Sequence, residues 1–304
     1  MAWGLAGVAA FSFTVPFTRI AVEGGEMSGL FVGAGRAVVA AVLAAAALAF
    51  TRQRFPTGIQ WVRLVFVAGG VVIGFPVLTS IALTSASASH AAVVIAVLPA
   101  ATAVVAALRG HERPPIPFWI VAAAGAIVAV VFAALQGGEL SGLHVSDLLL
   151  FGAVVSAAIG YAEGGLLARE LGAWQTVSWA LVLSAPLMLL LAGLAIARQT
   201  PSGGGVEWAA FAYLAVVSMF LGFFAWYRGL AIGPMTHVSQ IQLVQPVMTI
   251  CWAAVLLHEG LTWPTVLGGA GVILCATIAV RTRLASQDAR PARSIASSQA
   301  DPGT

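Results

Sequence analysis

The chain consists of long apolar stretches separated by short polar breaks. A transmembrane helix needs about 20 consecutive apolar residues, and stretches of that kind follow one another along most of the sequence. The breaks carry charge, glycine or proline, as in residues 23–26, 52–56 and 201–205. The pattern predicts ten transmembrane helices, at roughly 3–22, 28–50, 61–83, 87–108, 115–135, 147–168, 173–197, 207–230, 236–257 and 262–281.

Rare polar and helix-bending residues recur at a fixed offset of 147 residues. The pairs are His90/His237, Pro99/Pro246, His111/His258, Glu112/Glu259 and Pro117/Pro264. The offset spans five predicted helices, an odd number, so the two halves are expected to lie in the membrane in opposite senses. The sequence therefore predicts an all-α integral membrane protein built from two inverted five-helix repeats, residues 1–140 and 146–283.

Composition and charge agree with a membrane protein and predict its orientation. The chain is 60% hydrophobic and 8% charged, whereas soluble domains carry about 25% charged residues. Its basic residues are 14 arginines, and eleven of them fall on the cytoplasmic side if the N-terminus is inside. Both termini are therefore predicted to be cytoplasmic. The Ser-, Ala-, Arg- and Pro-rich segment 284–304 predicts a disordered cytoplasmic tail.

Two copies of one motif connect the chain to a known family. Each copy has a central proline, a polar turn and a fifth helix, and the second copy is the richer in glycine: Leu98-Pro99 with His111-Glu112-Arg113, and Gln245-Pro246 with His258-Glu259-Gly260-Leu261-Thr262, then Gly268, Gly269 and Gly271. In these residues the chain resembles the drug/metabolite transporter superfamily, in its ten-helix form with paired EamA-type repeats. Arg19 and Arg36 match the family's basic positions in the first two helices. The resemblance covers all but the tail and implies a carrier of the cell (plasma) membrane. The abundance of Trp and Phe is similar to that of the exporters of aromatic amino acids.

Four repeated residues are candidates for hinges and gates. Pro99 and Pro246 lie near the middle of their predicted spans, where a proline frees the carbonyl four residues before it. They mark either a hinge beside the substrate or a packing kink. His90 and His237 begin the same spans, and their retention in both halves favours a helix-start or gating role.

Other candidates lie where the repeat is broken. Gln242 and Gln245 share one helix face, and the equivalent positions in the first half hold an isoleucine and a leucine. Amides in hydrocarbon require a cavity or a partner helix. Arg36 lies within the second span and is expected either to attract a substrate carboxylate or to neutralise a glutamate. Glu163, near the end of the sixth span, is either a proton-exchanging carboxylate or an interfacial residue.

Aromatic residues are expected to contact a planar substrate. Trp179 and Trp252 lie well inside their spans, and Tyr161 and Phe17 are predicted to join them. The histidines lack the HExxH spacing of a zinc site, so neither a metal nor a cofactor is expected. The pairs Gly70/Gly74 and Gly160/Gly164 predict close helix contacts.

These features favour a carrier that exports or exchanges small amphipathic metabolites, amino acids with aromatic side chains included. A broad drug or cation efflux carrier is the alternative, and a sugar-phosphate or nucleotide-sugar carrier is disfavoured because Arg36 is nearly alone in the central helices. No spaced set of catalytic residues predicts an intramembrane enzyme, and a passive channel fits poorly with an inverted repeat. The expected partners are a small-molecule substrate and the lipid bilayer, with no nucleic acid. Both a monomer and a homodimer remain open.

Overall fold

The computed structural model describes residues 2–109, 114–135, 143–232 and 242–299, and within them every regular element is helical. Nine helices in this part of the chain are long and apolar enough to cross a membrane. They are Ala2–Glu23, Gly29–Phe50, Ile59–Ala82, Ala88–Arg109, Ile116–Leu135, Val145–Leu171, Ala173–Arg198, Gly205–Gly229 and Trp263–Thr282. The predicted ninth span is described only from Gln242 onward, as the shorter apolar helix Gln242–Leu256.

Several spans are divided into shorter helices. In chain order the α-helices are α1 (Ala2–Ser12), α2 (Thr14–Glu23), α3 (Gly29–Phe50), α4 (Ile59–Val67), α5 (Phe75–Ala82), α6 (Ala88–Ile95), α7 (Leu98–Arg109), α8 (Ile116–Leu135), α9 (Val145–Leu171), α10 (Ala173–Arg198), α11 (Gly205–Ala212), α12 (Gly222–Ile232), α13 (Gln245–Leu256) and α14 (Trp263–Gln299). A 3₁₀ turn, Gln242–Val244, precedes α13. The division matters because irregular backbone at membrane depth is tolerated only where protein or a cavity surrounds it.

Two π-helical segments interrupt the third and eighth spans. Ala68–Gly74 lies between α4 and α5, and Tyr213–Leu221 lies between α11 and α12. The 147-residue offset carries the second segment onto residues 66–74, so the two segments occupy equivalent places in the two halves. Such π segments occur frequently at functional sites. Neither was predicted from the sequence.

The helix pairings follow the same repeat. The most extensive contacts join α3 to α10 and α8 to α14, which are the second span with the seventh and the fifth with the tenth. In each pair, the second helix is the equivalent of the first, 147 residues further along the chain. Two further pairs are related to each other by the offset: α1 packs on α12, and the equivalent helices α9 and α5, the latter with its π segment, also pack together. The pattern supports a paired arrangement of the two halves, while their opposite sense in the membrane stays a prediction.

The glycine pairs form close contacts, as predicted. A Cβ atom added to Gly70 would lie 2.3 Å from the carbonyl oxygen of Ser156 and 2.8 Å from the nitrogen of Gly160. One added to Gly160 would lie 2.5 Å from a methyl carbon of Val71. Only glycine fits here, because the backbones of the third and sixth spans touch.

The end of the chain differs from the sequence prediction. The composition of 284–304 predicts disorder, whereas α14 continues to Gln299. Alanine and arginine favour helix, so a transmembrane helix is easily extended through such a segment. The predicted site residue His237 and the paired motif residues His111 and Glu112 lie outside the described residues.

Candidate functional site

Two broken helices line the centre of the bundle. The fourth span breaks at Ala96 and Val97, and α7 begins at Leu98, so Pro99 occupies its first turn. In the second half α13 begins at Gln245, so Pro246 occupies the equivalent position. Proline is tolerated there because the first N–H groups of a helix have no helical partner. The predicted kink at Pro99 therefore coincides with a break in the helix, and the one at Pro246 with the change from a 3₁₀ turn to α-helix.

A cavity lies between these two breaks, and we call it the glutamine cavity. Gln242 and Gln245 line it on one side, and no described residue hydrogen-bonds either side-chain amide. Both glutamines thus lie where the sequence predicts. The complete lining is Val15, Ala92, Ile95, Leu98, Pro99, Gln242, Gln245, Pro246 and Thr249.

A second cavity adjoins the first, and we call it the arginine cavity. It shares Val15, Ile95, Leu98 and Gln245 with the glutamine cavity, so the two are neighbours across a common wall. Its remaining lining comes from five spans: Phe11, Thr14, Arg36, Val71, Phe75, Pro76, Tyr161, Ser218, Met219 and Phe223. The predicted candidates Arg36, Tyr161 and Gln245 therefore meet in one place.

Arg36 is buried and has only uncharged partners. It is 2% exposed, and its guanidinium donates hydrogen bonds to the Pro76 carbonyl oxygen (2.9 Å), Thr18 Oγ1 (3.3 Å) and Ser80 Oγ (3.4 Å). Its Nε has no partner in the described part of the chain. No described glutamate neutralises it, so the counter-ion alternative raised by the sequence is not supported.

The walls of the arginine cavity include residues that were not predicted. Thr14 Oγ1 lies 2.7 Å from Ser218 Oγ, which joins the break after α1 to the second π segment. Val71, from the first π segment, lines the same space. An isolated serine or threonine in an apolar span does not by itself indicate a site, because its hydroxyl group also bonds to the backbone of its own helix.

Both cavities are narrow in this conformation. They leave about 20 Å³ and about 30 Å³ for the centres of water molecules, enough for one or two waters each. An amino acid does not fit into that space. Substrate binding therefore requires the helices around the cavities to separate.

The predicted aromatic residues lie in two separate places. Phe13 stacks on Trp252 (centroids 4.5 Å apart), and Phe17 meets Tyr213 edge-on (4.6 Å). This cluster lies beside the glutamine cavity, because Trp252 Nε1 donates to Ser12 Oγ while Thr249 of the cavity wall bonds to Ser12 O. Neither Phe17 nor Trp252 lines the two cavities.

Trp179 does not belong to this site. It packs against Phe55 and Trp61, with ring centroids 5.0 Å and 6.0 Å away, and lines neither cavity. The prediction rested on the position of Trp179 well inside its predicted span. Depth alone does not give the direction in which a side chain points around the helix axis.

Glu163 is part of an ion-pair network. It accepts hydrogen bonds from Arg63 and from Arg109 Nε, the latter at 2.9 Å, and Arg63 also pairs with Glu170. Its side chain is 5% exposed, whereas Arg109 and Glu170 in the same network are about half exposed. Its negative charge is balanced by two guanidinium groups, which favours a structural role over proton exchange.

The first turn of α6 is connected to two other parts of the chain. His90 Nε2 lies 2.6 Å from Oδ1 of Asp147, near the start of α9, and both residues are buried. The carboxylate of Glu259 accepts hydrogen bonds from the backbone N–H groups of Ala88 (2.7 Å) and Ser89 (2.8 Å). Neither contact was predicted. The available signal for Asp147 was its place three residues after His144, the spacing of a helix capping box.

The described residues form a helical bundle with apolar spans, interrupted helices and a buried polar centre, an architecture found in membrane transporters. The EamA-like transporter family matches this chain twice, over residues 1–135 and 144–281. The chain belongs to that family, within the drug/metabolite transporter superfamily, and is a multi-pass protein of the plasma membrane.

Two comparisons extend this assignment. The chain is 44% identical over 278 residues to an uncharacterized transporter, YdeK, of Bacillus subtilis (strain 168), covering 91% of this chain and 96% of the relative. A solved crystal structure of a protein superposes with a TM-score of 0.63 at 18% identity, covering 93% of this chain and 96% of that one. The latter similarity concerns the fold alone.

Proposed function

We propose that this transporter is an alternating-access carrier that exports or exchanges small amphipathic metabolites, in particular amino acids with aromatic side chains. The observation that carries the proposal is Arg36, a buried cation with uncharged partners on the wall of a central cavity. A buried charge without a counter-charge is costly. A substrate carboxylate is the group that would neutralise it.

The remaining walls suit the rest of an amino acid. The amide oxygens of Gln242 and Gln245 are acceptors for an ammonium group, and neither amide has a described side-chain partner. Phe11, Phe223 and Met219 offer an apolar surface for the side chain. Aromatic pairs gain about 0.5–1.5 kcal/mol beyond their burial, which favours aromatic substrates over aliphatic ones of similar size.

The carrier is proposed to have ten transmembrane helices in two inverted halves, with both termini in the cytoplasm. The equivalent π segments, the paired proline breaks and the helix pairings support two matched halves. Matched halves allow the site to open first to one side and then to the other. Because both cavities are narrow here, opening requires the α6/α7 and α13 breaks to move apart, with Pro99 and Pro246 as hinges.

Counterflow in liposomes tests the proposal. Purified protein is reconstituted with unlabelled phenylalanine inside, and uptake of labelled phenylalanine is followed against leucine, a lipophilic cation and a sugar phosphate. Saturable counterflow of aromatic amino acids is expected. Exchange of the cation or the sugar phosphate without any amino acid would assign the site to those substrates, and non-saturable flux would indicate a channel.

The matched variants are Arg36→Gln and Arg54→Gln, the latter at an exposed position before α4. A hydrogen bond to a charged group is worth about 1.5–3 kcal/mol, so Arg36→Gln is expected to weaken amino-acid binding by at least about tenfold. Arg54→Gln should bind as the unmodified protein does. Equal affinity in both variants would remove Arg36 from the substrate site.

A further inference from the structure

The buried carboxylates of this protein have different partners. Among the described residues only Asp147 and Glu163 are buried acids, 1% and 4% exposed. Glu163 is paired with two arginines, which remain charged at any physiological pH. Asp147 is paired instead with the imidazole of His90, a group that carries a proton on one or on both of its ring nitrogens.

We infer that the His90–Asp147 pair is the site at which this transporter binds and releases a proton during its cycle. The inference rests on the proposed carrier function and names its coupling ion. One proton is exchanged with water by the pair as a unit, since the imidazole and the carboxylate share one hydrogen bond. The sequence pointed to Glu163 for this role, and the geometry favours Asp147.

Water can reach the pair from a wide vestibule. This vestibule leaves about 530 Å³ for the centres of water molecules, against about 20 Å³ and about 30 Å³ in the two central cavities. His90 and Asp147 form part of its wall, together with Ser85, Ser87, His144 and Ser146. The wall also contains Ala86, Ala133 and Val145, and its polar side chains hold the water that supplies or accepts the proton. The arginine distribution predicts that this vestibule lies on the external face.

A single short helix joins the pair to the substrate site. His90 lies in the first turn of α6, while Ala92 and Ile95 of the same helix line the glutamine cavity. The helix α6 is unbroken from Ala88 to Ile95, a length of about 12 Å, so its two ends are joined by continuous backbone hydrogen bonds. A change at the His90–Asp147 contact is therefore transmitted to the cavity wall.

The other charged or titratable groups near the start of α6 already have partners or are exposed. Glu259 binds the N–H groups of Ala88 and Ser89. Arg19, from α2, donates to the carbonyl of Leu83 and pairs with Glu23. The side chain of His144, before α9, is 57% exposed and lies 3.7 Å from Asp147. The other helices packed on α6 are α13, α8 and, as far as Val280, α14, and they contribute no acidic or basic side chain.

The test uses the full protein in liposomes, with the membrane potential clamped to zero by valinomycin and potassium. With one proton per substrate, a pH difference of one unit is expected to drive accumulation of labelled phenylalanine up to about tenfold. Asp147→Asn is expected to abolish this accumulation and the substrate-induced proton flux reported by an internal pH dye. Counterflow at equal pH should persist in that variant. His144→Gln is the matched control and should keep the coupling.

Each other outcome has a defined meaning. Accumulation by Asp147→Asn equal to that of the unmodified protein overturns the inference, and so does loss of coupling in Glu163→Gln alone. If Asp147→Asn does not fold, His90→Gln must lose coupling in its place. Counterflow without any response to pH overturns the inference and leaves the proposed function standing. Absence of counterflow overturns both.

Discussion

The carboxylate of Glu259 accepts a hydrogen bond of 2.7 Å from the backbone N–H of Ala88, although 171 residues separate them. The contact ties the turn after α13 to the first turn of α6. A carboxylate at a helix N-terminus satisfies free N–H groups and interacts favourably with the helix dipole. The turn that carries the family's repeated Glu thus holds one half of the protein to the other.

Replacing Glu259 by Gln is expected to destabilise the protein. The amide retains one acceptor but loses the charge and the second hydrogen bond, which is worth about 0.5–2 kcal/mol. Thermal unfolding in detergent measures the loss. Glu26→Gln is the control, since Glu26 is exposed and only its backbone is bonded. Equal melting temperatures for the two variants would contradict the capping role.

Replacing Gly160 by Val is expected to disrupt the contact between the third and sixth spans. The added atoms would overlap Val71 and the backbone of Gly70, and overpacking costs about 1–3 kcal/mol. Gly165→Ala is the control on the same helix, because nothing lies within 4 Å of the added Cβ. Size-exclusion profiles and melting temperatures distinguish them, and a stable Gly160→Val protein would contradict the close contact.

Replacing Gln245 by Leu is expected to weaken substrate binding more than replacing Gln242. Gln245 lines both cavities, whereas Gln242 lines only the glutamine cavity. Loss of one hydrogen bond costs about 1 kcal/mol, so the half-saturation concentration should rise about fivefold. Counterflow kinetics and a melting curve measure binding and folding separately. Unchanged kinetics would remove Gln245 from the site.

The two arginines that hold Glu163 are expected to differ in importance. Arg63→Gln leaves the buried Glu163 carboxylate with one arginine and is expected to cost about 1–3 kcal/mol, because the Arg63 side chain is only 14% exposed. Arg109→Gln is expected to cost less than about 1 kcal/mol, since that side chain is 54% exposed. Chemical unfolding of both variants provides the comparison. A larger effect from Arg109→Gln would reverse the assignment.

The sequence predicts those features that depend on local composition. Apolar stretches predict the spans, and Gly70 and Gly160 predict a close contact that the structure contains. Gln242 and Gln245 were found because uncharged amides are unusual in hydrocarbon. Each of these signals lies within a few consecutive residues.

Features that depend on distant residues could not be predicted. Asp147 acquires its significance from His90, which is 57 residues away, and it has no counterpart in the repeat. The π segments require one extra residue per turn, and no residue type in 68–74 or 213–221 signals it. Trp179 was misplaced because rotation of a uniformly apolar helix about its axis is fixed only by packing.

Arg36 also has a consequence for voltage. With no described counter-ion, the empty site carries a positive charge, and a bound zwitterionic amino acid adds no net charge to it. Moving one elementary charge through the whole membrane field involves about 2.3 kcal/mol per 100 mV. In such a carrier the membrane potential acts on the reorientation of the empty protein and of the protein loaded with a zwitterion alike, and only a substrate with a net negative charge would remove its effect.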